Sequence, residues 1–220
     1  MSTRPNLLQG EDLPPEPLQK RSREKRARLK VAGLALFRKK GYERTSIDEI
    51  ALKAHLAVGS FYQHFRSKKQ LLLSLMNEFL EELSRLDLRP KNTSDLRAGL
   101  RAFFARALST DLRYLGAYRA WREAVITDPD LARKEAEIRV WTTSRVFTAF
   151  SALQQLPGAR PDVDVGGLAP VMDSFFWNLL EQAVSLPETQ LEPWIDSTTH
   201  IVYHALFLNP PTRSRKGLTS

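Results

Sequence analysis

At 220 residues, 42% of them hydrophobic and none cysteine, the chain can bury a core of its own in one large or two small domains, and disulfide frameworks and thiolate metal sites are excluded. The net charge of +8 is unevenly placed: residues 1–70 hold 16 Lys/Arg against 7 Asp/Glu, and the other 150 hold 17 against 18. The basic excess therefore sits in the N-terminal third, as in a nucleic-acid-binding module joined to a neutral partner, although a basic run alone is as readily a solvated face.

In chain order, residues 1–19 combine Glu11, Asp12 and Glu16 with Pro5, Pro14, Pro15 and Pro17, lack the apolar stretch of a secretory signal, and read as a disordered tail. A first helix is predicted from Ser22 to Lys40, stopped by Gly41, with Arg38, Lys39 and Lys40 suited to the negative end of the helix dipole. Thr45 or Ser46 caps a short helix whose Ile47, Ile50, Ala51 and Ala54 form one apolar stripe. A break at His55-Leu56-Ala57 leads to a third helix over 58–64, and Ser67 caps a long fourth one. Further helices are predicted at 94–108, 111–126, 129–156, 168–186 and 191–208, with a loop from Pro157 to Gly167, so the fold class is all-α. No apolar run approaches the roughly 18 residues of a bilayer span, and a cytoplasmic protein with no membrane partner is expected.

Two short helices joined by a tight turn and followed by a long buttress are the helix-turn-helix layout, whose second helix enters the major groove. Gly59 allows backbone to approach DNA closely, Thr45, Tyr62 and His64 can donate to phosphate, and Lys68 stands at a helix N-terminus suited to anions. Tyr62 taken singly is equally a core aromatic with a satisfied hydroxyl. Lys20, Arg21, Arg23, Lys25, Arg26 and Arg28 can track phosphates or form a solvated face.

The stretch from Phe37 through Gly41-Tyr42, Thr45, Ile47, Ile50-Ala51, Ala54, Gly59-Ser60-Phe61-Tyr62, His64-Phe65 and Lys68 to Leu71-Leu72 closely resembles the N-terminal signature of the TetR family of transcriptional regulators. The resemblance covers residues 29–72. It implies a three-helix DNA-binding domain over 20–66, a connecting helix over 67–90, a ligand-binding and dimerisation domain over 91–212 and a tail over 213–220. It places Val58, Gly59, Ser60 and Gln63 nearest the base edges. Two positions depart from the family pattern: His55 stands where Gly is usual in the turn, and Ala57 where Ser usually caps the recognition helix. His55 is expected in the left-handed region, and the lost cap costs about 1 kcal/mol.

In the C-terminal part, Phe103, Phe104, Tyr118, Trp121, Trp141 and Phe176 are candidates for an effector pocket. Arg122 falls on the apolar side of its helix, to be paired with an internal carboxylate such as Asp173 or with an anionic ligand. The helix over 168–186 has a second apolar stripe of Trp177, Leu180 and Val184, and the last helix carries Trp194, Thr198 and Val202. These suit a four-helix dimer interface as in TetR relatives, or else a thick monomer core. His200 and His204 lack a third metal ligand, so neither metal nor cofactor is expected. The sequence thus reads as a homodimeric repressor released from a palindromic DNA operator by a small, mostly hydrophobic effector. The alternatives are an architectural DNA-binding protein without ligand control, and an enzyme acting on a hydrophobic substrate. The latter has no nucleophile elbow, phosphate loop or paired catalytic carboxylates to support it.

Overall fold

A computed structural model describes residues 3–87, 95–183 and 191–208. Its helices are α1 (Lys20–Lys40), α2 (Ile47–Lys53), α3 (Val58–Tyr62), α4 (Lys68–Arg85), α5 (Leu96–Arg113), α6 (Leu115–Thr127), α7 (Pro129–Gln154), α8 (Val165–Ala183) and α9 (Leu191–Leu206). Among the described residues there is no strand, and the fold is all-α. None of these helices is long and apolar enough to cross a membrane. The expected boundary near residue 90 and the tail over 213–220 lie outside the described residues.

Local chemistry sets most helix ends. Gly41 stops α1 at φ 82°, where a side chain would be strained. The Ser46 hydroxyl accepts from the Glu49 amide while the Glu49 carboxylate accepts from the Ser46 amide, a reciprocal capping box that Lys40 reinforces by pairing with Glu49. His55 adopts φ 55°, as expected for the residue replacing glycine in the turn. Ala57 starts α3 without a side-chain cap, Ser67 caps α4, and Asp128 caps α7 ahead of Pro129. The break expected at 109–110 lies instead at Tyr114, because α5 runs on unbroken through Asp111 to Arg113.

Leu29 and Phe37 of α1, Ile50, Phe61, Phe65 and the α4 leucines close the three-helix core, and this core does not end at the domain border. Leu115, Tyr118 and Trp121 of α6 with Ile138 and Trp141 of α7 belong to the same apolar cluster. A second cluster, including Leu100, Phe104, Phe150, Met172, Ile195 and Val202, joins α5, α7, α8 and α9.

The expected disordered tail is instead a packed strap. Leu7 is 1% exposed and its carbonyl accepts from Lys134 of α7; Asn77 of α4 accepts from the Leu7 amide and from Arg4. Farther along, Gln70 and Arg66 bond Asp12, and Glu16 pairs with Arg26. A proline-rich composition predicted disorder, but one apolar side chain in a waiting cleft and these charge-assisted bonds offset the ordering entropy.

The second stripe of α8 also departs from expectation. Trp177 and Leu180 are buried within the chain, Trp177 against Tyr118 and Phe79, and Thr198 and Val202 of α9 are buried too. These four do not form an intersubunit face, because α6 and α7 cover the first pair and the second cluster covers the others. Trp194 is half-buried, and Val184 lies outside the described residues. The outward surfaces of α8 and α9 carry Val171, Ser174, Asn178, Ser197, His200 and Ile201, a mixed rather than continuous apolar face.

Candidate DNA-binding surface and ligand cavity

The short helix α3 turns Phe61 inward, and Phe65 beyond it closes the same core, so Ala57, Val58, Gly59, Tyr62 and Gln63 are left exposed with Ser60 half-exposed. A β-carbon at Gly59 would meet nothing within 4 Å, so this point of the helix surface is bare. Tyr62 is 52% exposed, which removes the core-aromatic alternative. Together these residues form the exposed face of a helix, an element that a major groove admits.

Three expected phosphate donors are placed differently. Thr45 is buried, and its hydroxyl donates to the Gly41 carbonyl at 2.7 Å, fastening the α1–α2 link. His64 is buried, with Nε2 lacking any partner; burial, then Arg26 and Lys25, pushes its pKa below the usual range. Lys68 donates to the carbonyls of Tyr42 (2.7 Å) and Thr45 (3.0 Å) and lies 4.2 Å over the Tyr42 ring. Two of its three N–H donors serve the fold before any phosphate, and burial pushes its pKa down against the pull of Glu43 and Glu123. These residue types suit phosphate contacts, but internal carbonyls hold Thr45 and Lys68. Among the basic residues of α1, Arg26 is withdrawn by Glu16 and by packing on Phe65 at 5.2 Å, while Lys20, Arg21, Arg23 and Arg28 remain exposed.

Helices α4, α5, α7, α8 and α9 line a partly open cavity of about 200 Å³. Phe103, Phe104, Trp141 and Phe176 line it, as does Trp177. Tyr118, Trp121 and Arg122 do not. Tyr118 and Trp121 are fully buried in the shared core, where Tyr118 donates to the Trp177 carbonyl at 3.3 Å and Trp121 to Glu135 at 2.6 Å. Arg122 has its side chain 42% exposed and stands 3.7 Å from Glu181, so it meets neither Asp173 nor the cavity; its long stem carries the charge from an apolar face to the surface. Asp173 instead accepts from Thr142 and Thr143 at 3.1 and 3.0 Å. Two cavity residues that the aromatic pattern did not single out are Asp111 and Arg145. Asp111 was detectable, since it continues the apolar row Leu100, Phe104 and Ala107 of α5 at helical spacing.

Cavity and DNA surface are joined through α6. The Trp177 ring stacks on Tyr118 at 5.3 Å, and from the same helix Gly116 lies against the α1 backbone at Leu34 and Arg38. Arg119 donates to the Arg38 carbonyl at 2.7 Å, and Glu123 accepts from the Tyr42 amide at 2.7 Å. Lys69 at the start of α4 bridges Asp128 and Asp130 at the α6–α7 junction. The hinge of α1 into the helix-turn-helix is thus held by α6 at several points.

Residues 31–75 match the family described as bacterial regulatory proteins, tetR family. The transcriptional activator FasR of Mycolicibacterium smegmatis is 29% identical over 156 residues, 67% of this chain and 68% of that one. Other curated regulators match only over a short stretch, and the chain spans about a fifth to a third of their length. A crystallised transcriptional regulator from Rhodococcus sp. Rha1 superposes with a TM-score of 0.61 at 19% identity, over 84% of this chain and 99% of that one. SmeT in complex with triclosan superposes with a TM-score of 0.59 at 21% identity, over 89% of this chain and 99% of that one. At these identities the two structures share the fold.

Proposed function

We propose that this chain, whose residues 31–75 match the tetR family of bacterial regulatory proteins, is a homodimeric repressor whose α3 helices read a palindromic operator and whose cavity takes a small, mostly hydrophobic effector. The observation that carries the DNA-binding reading is the bare outer face of α3, where Val58, Gly59, Ser60, Tyr62 and Gln63 stand clear of the core that Phe61 and Phe65 complete. Tyr62 supplies a phosphate donor and Gln63 a base-edge contact. The cavity supports effector control over a purely architectural role, and a relative of the same fold is known with triclosan bound. A ligand beside Trp177 acts through Tyr118 on α6, and α6 holds the end of α1. Two half-sites roughly 34–36 Å apart tolerate little rotation, so a small shift releases one of them. Only a ligand that binds the two states with different affinity moves that equilibrium.

The experiment selects duplexes from a random pool and measures affinity against salt for the parent, Tyr62→Phe and Gln63→Ala, with light scattering for the mass. Tyr62→Phe is expected to weaken binding to all sequences, and Gln63→Ala to relax preference at one position by about 1–3 kcal/mol. A monomer in solution, or two variants indistinguishable from the parent, refutes the reading. A reporter assay separates repression from activation.

A further inference from the structure

We propose that the cavity receives a lipophilic amine and that the Asp111 carboxyl is the group that recognises its nitrogen, an assignment resting on the reading of this cavity as the effector site. The cavity wall is aromatic and aliphatic, and its charged groups are Asp111 of α5, Arg145 of α7 and Asp173 of α8; α4 and α9 add no charged side chain. Asp173 is already satisfied, and one nitrogen of Arg145 is committed. Asp173 accepts from Thr142 and Thr143. Arg145 donates to the carbonyls of Leu83 and Leu86 at 2.9 and 3.1 Å and lies 5.2 Å over the Trp141 ring. Arg113, near Asp111 on α5, turns outward to Glu82. The Asp111 carboxyl has no hydrogen bond or ion pair among the described residues; the residue is half-buried in the cavity wall, and desolvation there pushes its carboxyl up to about 8. A carboxyl without a partner in an apolar site is costly unless something bound there satisfies it.

The chemistry of that group favours a cation over an anion. At pH 7 Asp111 is mostly the neutral acid. When an ammonium enters, the carboxyl releases its proton to solvent, an N–H of the ligand donates to the carboxylate oxygen, and the ion pair is strengthened by the apolar surroundings. A neutral alcohol binds without proton release. A carboxylate finds the Arg145 Nη2 donors held by the Leu83 and Leu86 carbonyls and meets repulsion from Asp111 once that group ionises.

Isothermal titration calorimetry on the intact protein with 4-phenylbutylamine, 4-phenylbutanol and 4-phenylbutyrate, at pH 6 to 8.5 and in buffers of different ionisation enthalpy, tests this. The amine is expected to bind about tenfold tighter than the alcohol at pH 8.5. Its affinity falls by up to about tenfold per pH unit below 8, with release of close to one proton at pH 7. Asp111→Asn removes the preference and the proton release while retaining the alcohol, which also shows that the variant is folded. Tightest binding of the butyrate, equal binding of amine and alcohol, an unaltered preference in Asp111→Asn, or failure of all three to bind overturns the assignment. If the amine binds through Asp111 yet leaves DNA affinity unchanged, the amine site stands and the sensor reading fails. If the alcohol binds and shifts DNA affinity with no preference for the amine, the sensor reading stands and the amine site fails.

Discussion

Replacing Gly116 by alanine isolates the contact through which α6 holds α1. A β-carbon there would overlap the Leu34 carbonyl oxygen and lie 2.9 Å from the Leu34 carbonyl carbon and 3.0 Å from the Arg38 nitrogen, all backbone atoms of an intact helix. No rotamer change relieves this. Restoring ordinary contact, about 3.5 Å between heavy atoms, requires α1 and α6 to part by roughly an ångström. Overpacking of this kind costs up to about 3 kcal/mol. Alanine returns about 1 kcal/mol of helix propensity, which leaves a net loss of about 2 kcal/mol. For a chain of this size that corresponds to a fall in Tm of roughly 4–8 °C. Urea unfolding with an unchanged m-value, together with operator affinity before and after the substitution, measures both stability and coupling. A variant as stable as the parent, with the same DNA affinity, would refute both the close approach and its role in positioning the helix-turn-helix.

Gly59→Ala makes the opposite case: nothing surrounds its β-carbon, so thermal stability is expected to hold or rise by up to about 1 kcal/mol while DNA affinity drops, measured by melting and by fluorescence anisotropy. Leu7→Ala empties a filled cleft and is expected to cost about 2–4 kcal/mol in a urea titration, whereas a disordered tail would cost nothing. Asp111→Asn is expected to stabilise increasingly with pH. Because the folded carboxyl is raised from 3.8 to about 8, the native state keeps a proton that the unfolded state has lost, and parental stability falls as pH rises from 4 towards 8. The gain from the asparagine should therefore grow between pH 5 and 8, by at most about 4 kcal/mol, and a gain that is constant across that range would contradict it.

Helix ends were legible because the signals lie within four residues of each other: Gly41 after three basic residues, Ser46 before Glu49, Ser67 before Lys68. The exposed row on α3 was legible for the same reason, since Phe61 and Phe65 fix which side faces in. What sequence could not supply depended on distant partners. The apolar stripe with Trp177 and Leu180 predicts a covered surface without saying whether the cover comes from the same chain, and here α6 and α7 provide it. Thr45 and Lys68 have the chemistry of phosphate ligands, but carbonyls at Gly41 and Tyr42 reach them first. Leu7 resembled any residue of a proline-rich tail until Asn77 and Lys134, some 70 and 127 positions away, closed around it.

The apolar cluster that runs unbroken from α1 to α7 divides the molecule differently from its tasks. In the proposed function, reading of DNA belongs to α1–α3 and sensing to α4–α9, yet α4, α6, the first half of α7 and the last turns of α8 share their interior with α1–α3, and α5, α9 and the rest of α7 and α8 gather around the second cluster. Cooperative opening follows buried contacts rather than roles. Amide protons of α6 should thus exchange in step with those of α1, and α5 with α9 should open as a separate, less protected unit. The wall of the cavity can then loosen while the grip on the helix-turn-helix stays intact, so a ligand that ties α5 to α8 changes the protection of one unit before it changes the posture of the other.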